Sequence, residues 1–232
     1  MKVTLTRFTP DPVMAIEEAA SQCYQSKPNP SGKIMKACYL SGHHSVLEHV
    51  SFTWHIEGVS RALLAQLTRH RIGTAFSVKS QRYCSESQFE FVTPPSIIMG
   101  SPTSKELYIA AMESAQSYYD ALIFAGFPAE DARMVLPNAC CTTLQCAMNL
   151  RELIHFCNER LCSRAQWEIR AMCWKMVEAV NEATDNSFDY MLQPKCWSDP
   201  EHPFCPEGSK SCGKCPTLEK LYALAATRSQ EQ

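Results

Sequence analysis

The chain has 232 residues, 45% of them hydrophobic and 20% charged, with a net charge of -2. It is long enough to bury a core without disulfides, and its near-neutral balance excludes a global pull toward nucleic acid or a membrane surface. No apolar run approaches the roughly 18–20 residues of a membrane span, and the opening MKVTLTRFTP lacks the apolar stretch of a signal peptide, so a cytoplasmic protein is expected. Thirteen cysteines, an odd number in a chain of this size, fit reduced thiols better than a secreted disulfide scaffold. Many of them should be small apolar core residues.

In chain order, residues 2–8 alternate as a first strand, 12–23 open on a proline as a helix, and 33–40 form a second short helix. Phe52, Trp54 and Ile56 alternate with Thr53 and His55, which predicts a strand over 51–57. Helical composition covers 59–69, with Leu63, Leu64 and Leu67 on its apolar side, and 89–93 reads as a short strand before Pro94-Pro95. From there the chain reads as mostly helical, over about 104–125, 128–136, 141–161 and 163–184. Residues 194–216 hold five prolines, two glycines and four cysteines, a loop-rich stretch before a last short helix at 217–227. The expected class is α+β, a small antiparallel sheet packed with a larger helical layer. A catalytic domain over 1–190 would carry a Cys/Pro-rich extension over 191–232.

The segment 58–85 contains no Asp or Glu but holds Arg61, Arg69, His70, Arg71, Lys79 and Arg82. Uncompensated local charge in a near-neutral chain points to an anionic ligand. Two basic clusters, 69–71 and 79–82, flank a hydroxyl-bearing loop, which suits more than one phosphorylated ligand because arginine forks match phosphate oxygens. Cations offsetting a helix C-terminal dipole are the plainer account of Arg69 or Arg71. A single-strand nucleic-acid groove is the other, disfavoured because only Phe76 and Tyr83 lie close by, fewer aromatics than a stacking platform uses.

The run RHRIGTAFSVKSQRY (69–83) resembles the signature of the flavin-dependent thymidylate synthases: Arg-His-Arg, a spacer, Ser, one residue, then Arg-Tyr. The spacer is one residue longer than the family's usual form, and Val78 stands where family members often carry an acid. GHHSVLEH (42–49) is similar to the family's flavin-lining segment and does not fit the His/Glu spacing of a zinc protease. NLRELIHFCNERLCSRAQWEIR (149–170) resembles its C-terminal signature. On a continuous helix Asn149 and Arg160 would share one stripe, and Arg151 and His155 another.

What the resemblance implies is reductive methylation of dUMP to dTMP, with methylenetetrahydrofolate as carbon donor and FAD, reduced by NADPH, as hydride carrier. It places Ser45, Glu48, Arg69, His70, Arg71, Asn149, Arg151 and His155 at the flavin, with His43 nearby. The nucleotide would meet Gln66, Arg69, Ser80, Gln81, Arg82 and Arg133, the last reaching across from a neighbouring subunit. Arg160 would sit on the uracil ring as the catalytic group. A homotetramer with shared sites follows from the same resemblance, and neither nucleic acid nor membrane is an expected partner. Neither a cysteine nor Ser80 is needed as a nucleophile.

Cys196, Cys205, Cys212 and Cys215 stand apart from these motifs. The Cys-Gly-Lys-Cys pair at 212–215 has the shape of a zinc knuckle, and two more thiols within 20 residues would complete a tetrahedral set. The long spacing of the first pair leaves reduced or adventitiously oxidised surface thiols as one alternative, and a redox pair at 212 and 215, without a thioredoxin-like strand-then-helix context, as another.

Overall fold

The computed structural model describes residues 1–198 and 202–230. It opens with β1 (Lys2–Phe8), α1 (Pro12–Tyr24) and α2 (Lys33–Leu40), then a 3₁₀ turn (His44–His49). The expected strand at 51–57 runs on as β2 (Ser51–Ser60), and α3 (Arg61–Leu67) follows directly, its first turn capped where the Ser60 hydroxyl accepts the Leu63 amide at 3.0 Å. Next come β3 (Thr74–Val78), the short α4 (Pro95–Ile98), α5 (Pro102–Phe124) and the short α6 (Ala129–Ala132). The order ends with β4 (Cys141–Asn149), α7 (Leu150–Arg160), α8 (Trp167–Ala183) and α9 (Leu218–Gln230).

The four strands pair in the order β1-β2-β4-β3. Descending register against ascending register marks each pair as antiparallel: Leu150 donates to Val50 and Arg61 to Cys140, while Asn149 donates to Gly73 and Lys79 to Thr143. This is the expected α+β class.

Three local expectations are corrected. Residues 141–149 form a strand and not the start of a helix. Ala147 and Met148 favour helix and Leu144 and Gln145 do also, but burial alternates strictly, with Thr142, Leu144, Cys146 and Met148 buried, so pairing on both edges overrides propensity. Asn149 therefore precedes α7, and the stripe it was to share with Arg160 does not exist. The stretch 72–79, read as a loop, contains β3. Conversely, 89–93 contributes only an isolated bridge, Phe91 to Cys140.

The chain forms two compact units, one of Met1–Lys2, His55–Arg69 and Ala75–Cys146, the other of Val3–Trp54, His70–Thr74 and Ala147–Gln232. In the first, Ile56, Leu63, Leu67, Tyr119 and Leu144 are fully or almost fully buried. In the second, Phe52 lies tilted against Trp54 and meets Phe188 edge-on at 6.0 Å, and Leu153, Phe156 and Met172 are sealed from solvent. There too the buried carboxylate of Glu17 accepts the amides of Asn29 and Met35, tying α1 to the start of α2. Among the described residues no helix is long and apolar enough to cross a membrane.

Burial pushes the Cys146 thiol up to about 12. An unfolded thiol ionises near about 8.5, so the unfolded chain loses this proton first and stability, complete at neutral pH, is lost as pH rises toward 12. Urea unfolding at stepped alkaline pH should show this decline, and Cys146→Ala should flatten it; Cys173, raised by burial beside Cys157, keeps the slope from vanishing.

Candidate functional site

The second unit carries a buried polar line. His70 is 7% exposed and Glu152 9%. His70 Nδ1 lies 2.8 Å from Glu152 Oε1, and Arg160 Nε lies 3.2 Å from His70 Nε2. A guanidinium can only donate, so Nε2 is the acceptor and the ring proton sits on Nδ1, donated to the carboxylate. The imidazole is further held edge-on by Phe156 at 4.9 Å and lies 5.6 Å from the exposed His155 ring. Arg160, half-buried in the last turn of α7, is thus oriented through His70 by Glu152 in the first turn. Breaking a buried bond of this kind costs roughly 1–3 kcal/mol.

Around this line stand exposed donors. Arg151 pairs with Glu48 at 2.5 Å, joining α7 to the 3₁₀ turn that carries Ser45. Both partners are about half exposed, so the pair contributes about 0–1 kcal/mol and is readily exchanged for a ligand. Ser45, His43 and Arg71 are exposed as well. His44 is occupied structurally, stacked on Tyr39 with its Nε2 at 3.0 Å from the Tyr39 carbonyl.

Asn149 caps α7, its Oδ1 accepting the Glu152 amide at 2.9 Å, and its own amide donates to Gly73. Gly73 has φ +69°, and a Cβ there would stand 2.6 Å from Asn149 Nδ2. Only glycine allows both the left-handed backbone and this approach.

Among the described residues, His70, Glu152 and His155 are the one group that brings three ligand-type atoms within 4.8 Å of one another. Both His70 nitrogens are already engaged, one of them by a cation, so this group is a hydrogen-bonded orienting device and not a metal centre.

The first unit gathers a separate basic set. Arg82 Nε lies 2.6 Å from Glu130 Oε2, and Arg133 Nε donates to the Glu130 carbonyl at 3.1 Å, so both nucleotide-candidate arginines meet at one residue. Arg82 also lies over the Tyr83 ring. Sequence reading left Arg61 unassigned, yet burial lowers its pKa and the charge of Arg133 adds to that effect, which places the two arginines close together. Its guanidinium donates to the Lys79 carbonyl at 2.9 Å, and its Nε is buried without a partner. The acid-free window 58–85 was the available signal for it. Ser80 accepts the Arg82 amide and shapes the turn, Gln81 donates to Cys140 Sγ, Gln66 is half-buried on α3, and Arg69 is exposed at the end of that helix.

In the extension the four cysteines split. The free thiols of Cys196 and Cys215 are hydrogen-bonded to each other, with Cys205 close by, whereas Cys212 is hydrogen-bonded to Ser163.

Gly73→Ala should cost about 1–3 kcal/mol through strain and loss of the α7 cap. Thermal denaturation of the single and double variants checks this: in an Asn149→Ala background the same substitution should cost less, because the clashing side chain and the cap are already gone.

Comparisons with known proteins agree with this architecture. The family described as thymidylate synthase complementing protein (Thy1) matches residues 4–184. A flavin-dependent thymidylate synthase of Geobacter sulfurreducens is 42% identical over 96% of this chain and 98% of its own length. One of Clostridium tetani is 38% identical over 96% and 97%. A crystal structure of thymidylate synthase X from Helicobacter pylori with FAD and dUMP superposes with a TM-score of 0.68 over 83% of this chain and 99% of that one, at 23% identity. With a family match over most of its length and relatives near 40% identity from end to end, the chain belongs to the thymidylate synthase complementing protein family, that of the flavin-dependent thymidylate synthases.

Proposed function

We propose that this chain is an FAD-dependent thymidylate synthase that converts dUMP to dTMP in the cytoplasm, taking a one-carbon unit from methylenetetrahydrofolate and reducing equivalents from NADPH. Overall, dUMP, methylenetetrahydrofolate, NADPH and a proton give dTMP, tetrahydrofolate and NADP⁺. The observation that carries the reading is the Arg160–His70–Glu152 line, a cation held in a fixed direction by buried partners. Family membership and the names of the relatives supply the reaction class.

The residues of the second unit suit a flavin nucleotide. Guanidinium, imidazole and hydroxyl donors at Arg71, Arg151, His155 and Ser45 are exposed beside a buried polar line, the donor types that a pyrophosphate and the flavin carbonyls accept from. We assign Ser45, Glu48, Arg69, His70, Arg71, Asn149, Arg151 and His155 to holding it, with His70 and Asn149 acting chiefly by shaping the site. When bound, the reduced flavin supplies the hydride. The protein's share is positioning and electrostatics. Arg160 stabilises negative charge developing on the pyrimidine at N3 and its flanking carbonyl, and because Glu152 and His70 orient it beforehand, little reorganisation accompanies that charge. Arg82 and Arg133, with Gln66, Arg69, Ser80 and Gln81, hold the nucleotide. Glu130 occupies Arg82 through an exposed pair, and a phosphate offering two oxygens displaces it at little cost.

We assign the reaction to a catalytic domain over 1–190, with 191–232 as an extension. Self-association is supported by α5, in which only Met112 and Tyr119 of 23 residues are buried, and by the exposed apolar side chains of Met99, Leu107, Tyr118, Phe124 and Met134 in the same unit. A homotetramer that shares its sites covers such a face.

Arg160→Ala should leave FAD bound but reduce turnover by about 10²–10³-fold, a barrier of about 2.7–4 kcal/mol; anaerobic flavin reoxidation with dUMP and the folate measures it, and near-normal dTMP formation would overturn the assignment. Arg82→Ala and Arg133→Ala should raise the KM for dUMP far more than that for the folate and remove discrimination against deoxyuridine. An equal loss for both nucleotides would show these arginines to be structural.

A further inference from the structure

Residues 191–217 carry a chemistry that the proposed reaction does not use. Beyond the buried Leu192 and before α9 the described chain forms only two three-residue 3₁₀ turns and a bridge, and its buried residues there are Cys205, Cys215 and Thr217. A stretch of this kind needs a staple to hold one shape.

The thiols supply candidates for one. Cys205 donates its amide to the Pro216 carbonyl at 2.7 Å and pairs in parallel with Thr217, which draws Cys205 and Cys215 together; both are buried, at 7% and 5% exposure. The Cys196 thiol meets that of Cys215. Cys212 begins the Cys-Gly-Lys-Cys turn, where Gly213 has φ +82° and donates to Ser211 Oγ at 3.1 Å, and its sulfur accepts the Lys214 amide. A sulfur accepting the amide two residues on is what a metal knuckle needs, since that bond lowers the charge on the ligand atom. Cys196, Cys205 and Cys212 line a single cavity of about 470 Å³, as does Cys162, while Cys215 reaches it through Cys196.

The charge around the cavity has a sign. Arg164, Arg170, Lys195 and Lys214 line it against Glu207, leaving an excess of cations in a pocket with two half-exposed tryptophans. Four thiolates about one divalent ion carry a net charge of −2, which this lining offsets. Arg164 and Lys195 already pair with Glu207, and two neutral disulfides would bring no charge to offset Arg170 and Lys214, which line the cavity with them.

We propose that Cys196, Cys205, Cys212 and Cys215 form a structural tetrathiolate site for one zinc ion that staples the C-terminal extension. No three of these sulfurs lie within 4.8 Å of one another, so binding draws Cys205 onto the Cys196–Cys215 pair and Cys212 away from Ser163. Each thiol releases its proton to solvent as it coordinates. With all four positions filled by protein, the ion has no open position for chemistry and its role is stability.

The untagged full-length chain, expressed with zinc and purified without chelator, tests this by elemental analysis and cobalt substitution. The expected result is about one zinc per chain. Cobalt should bring the thiolate charge-transfer band and the intense visible bands of a tetrahedral site. Cys205→Ser and Cys215→Ser should lose the metal, while Cys23→Ser, which alters an exposed thiol of α1, should keep it. A strong chelator should speed proteolysis within 191–217 without changing FAD content. Less than about 0.2 zinc per chain together with no tetrahedral cobalt spectrum would overturn the proposal. So would a Cys196–Cys215 disulfide in the freshly isolated protein, or metal lost in Cys162→Ser and kept in Cys212→Ser.

Discussion

A carboxylate buried with 9% exposure must find a donor, and Glu152 finds it in His70. That single bond decides much of the second unit. It selects the imidazole tautomer, and the tautomer turns Nε2 toward Arg160 as an acceptor. It also ties the segment 70–73 to the first turn of α7, where Gly73 and the Asn149 cap fit together only because one of them has no side chain. The polar residues of α7 are thereby divided by burial. The line from Glu152 to Arg160 is rigid and internally satisfied, whereas Arg151 and His155 remain at the surface with weak or exchangeable partners.

The first unit follows a related logic with the balance reversed. In its ion pair of Lys79, 38% exposed, with the 3%-exposed carboxylate of Glu86, loss of the lysine would leave a buried charge unpaired, so the pair serves the fold. Its exposed pair, Arg82 with Glu130, contributes about 0–1 kcal/mol and can be given up. Arg61 is influenced more by burial and by Cys140 and Glu86 than by the like charge of Arg133. The carboxylate of Glu130 holds Arg82, and its carbonyl holds Arg133.

Cysteine chemistry also divides by environment. Cys146 and Cys173 are buried, and burial raises their thiols, so each stays protonated and acts as a small hydrophobe, whereas Cys140 is raised to about 11 by burial and by Glu86 while Gln81 donates to its sulfur. The thiols of the extension lie among cations in a segment without much core, where a sulfur has a partner to find.

The sequence by itself determined the chemistry that is local. The helix at 33–40 was legible to the residue because its apolar spacing is self-contained, and the alternation at Phe52, Trp54 and Ile56 marked a half-buried strand. The acid-free window and the Arg-His-Arg and Arg-Ala-Gln-Trp segments were enough to suggest the ligands and the family. Tertiary structure alone decided what depends on partners distant in the chain. Residues 141–149 carry helix-favouring side chains and become a strand because two neighbouring strands satisfy their backbone groups. Asn149, read as a ligand contact, became first of all a cap, since the helix it was to sit within begins one residue later. Arg82 and Arg133, 51 positions apart in the chain, meet at Glu130, and His70 meets Glu152 across 82. Periodicity and spacing report only on neighbours within a few turns. A bond closed over such a loop leaves no local mark, because the packing of everything between its ends sets its geometry.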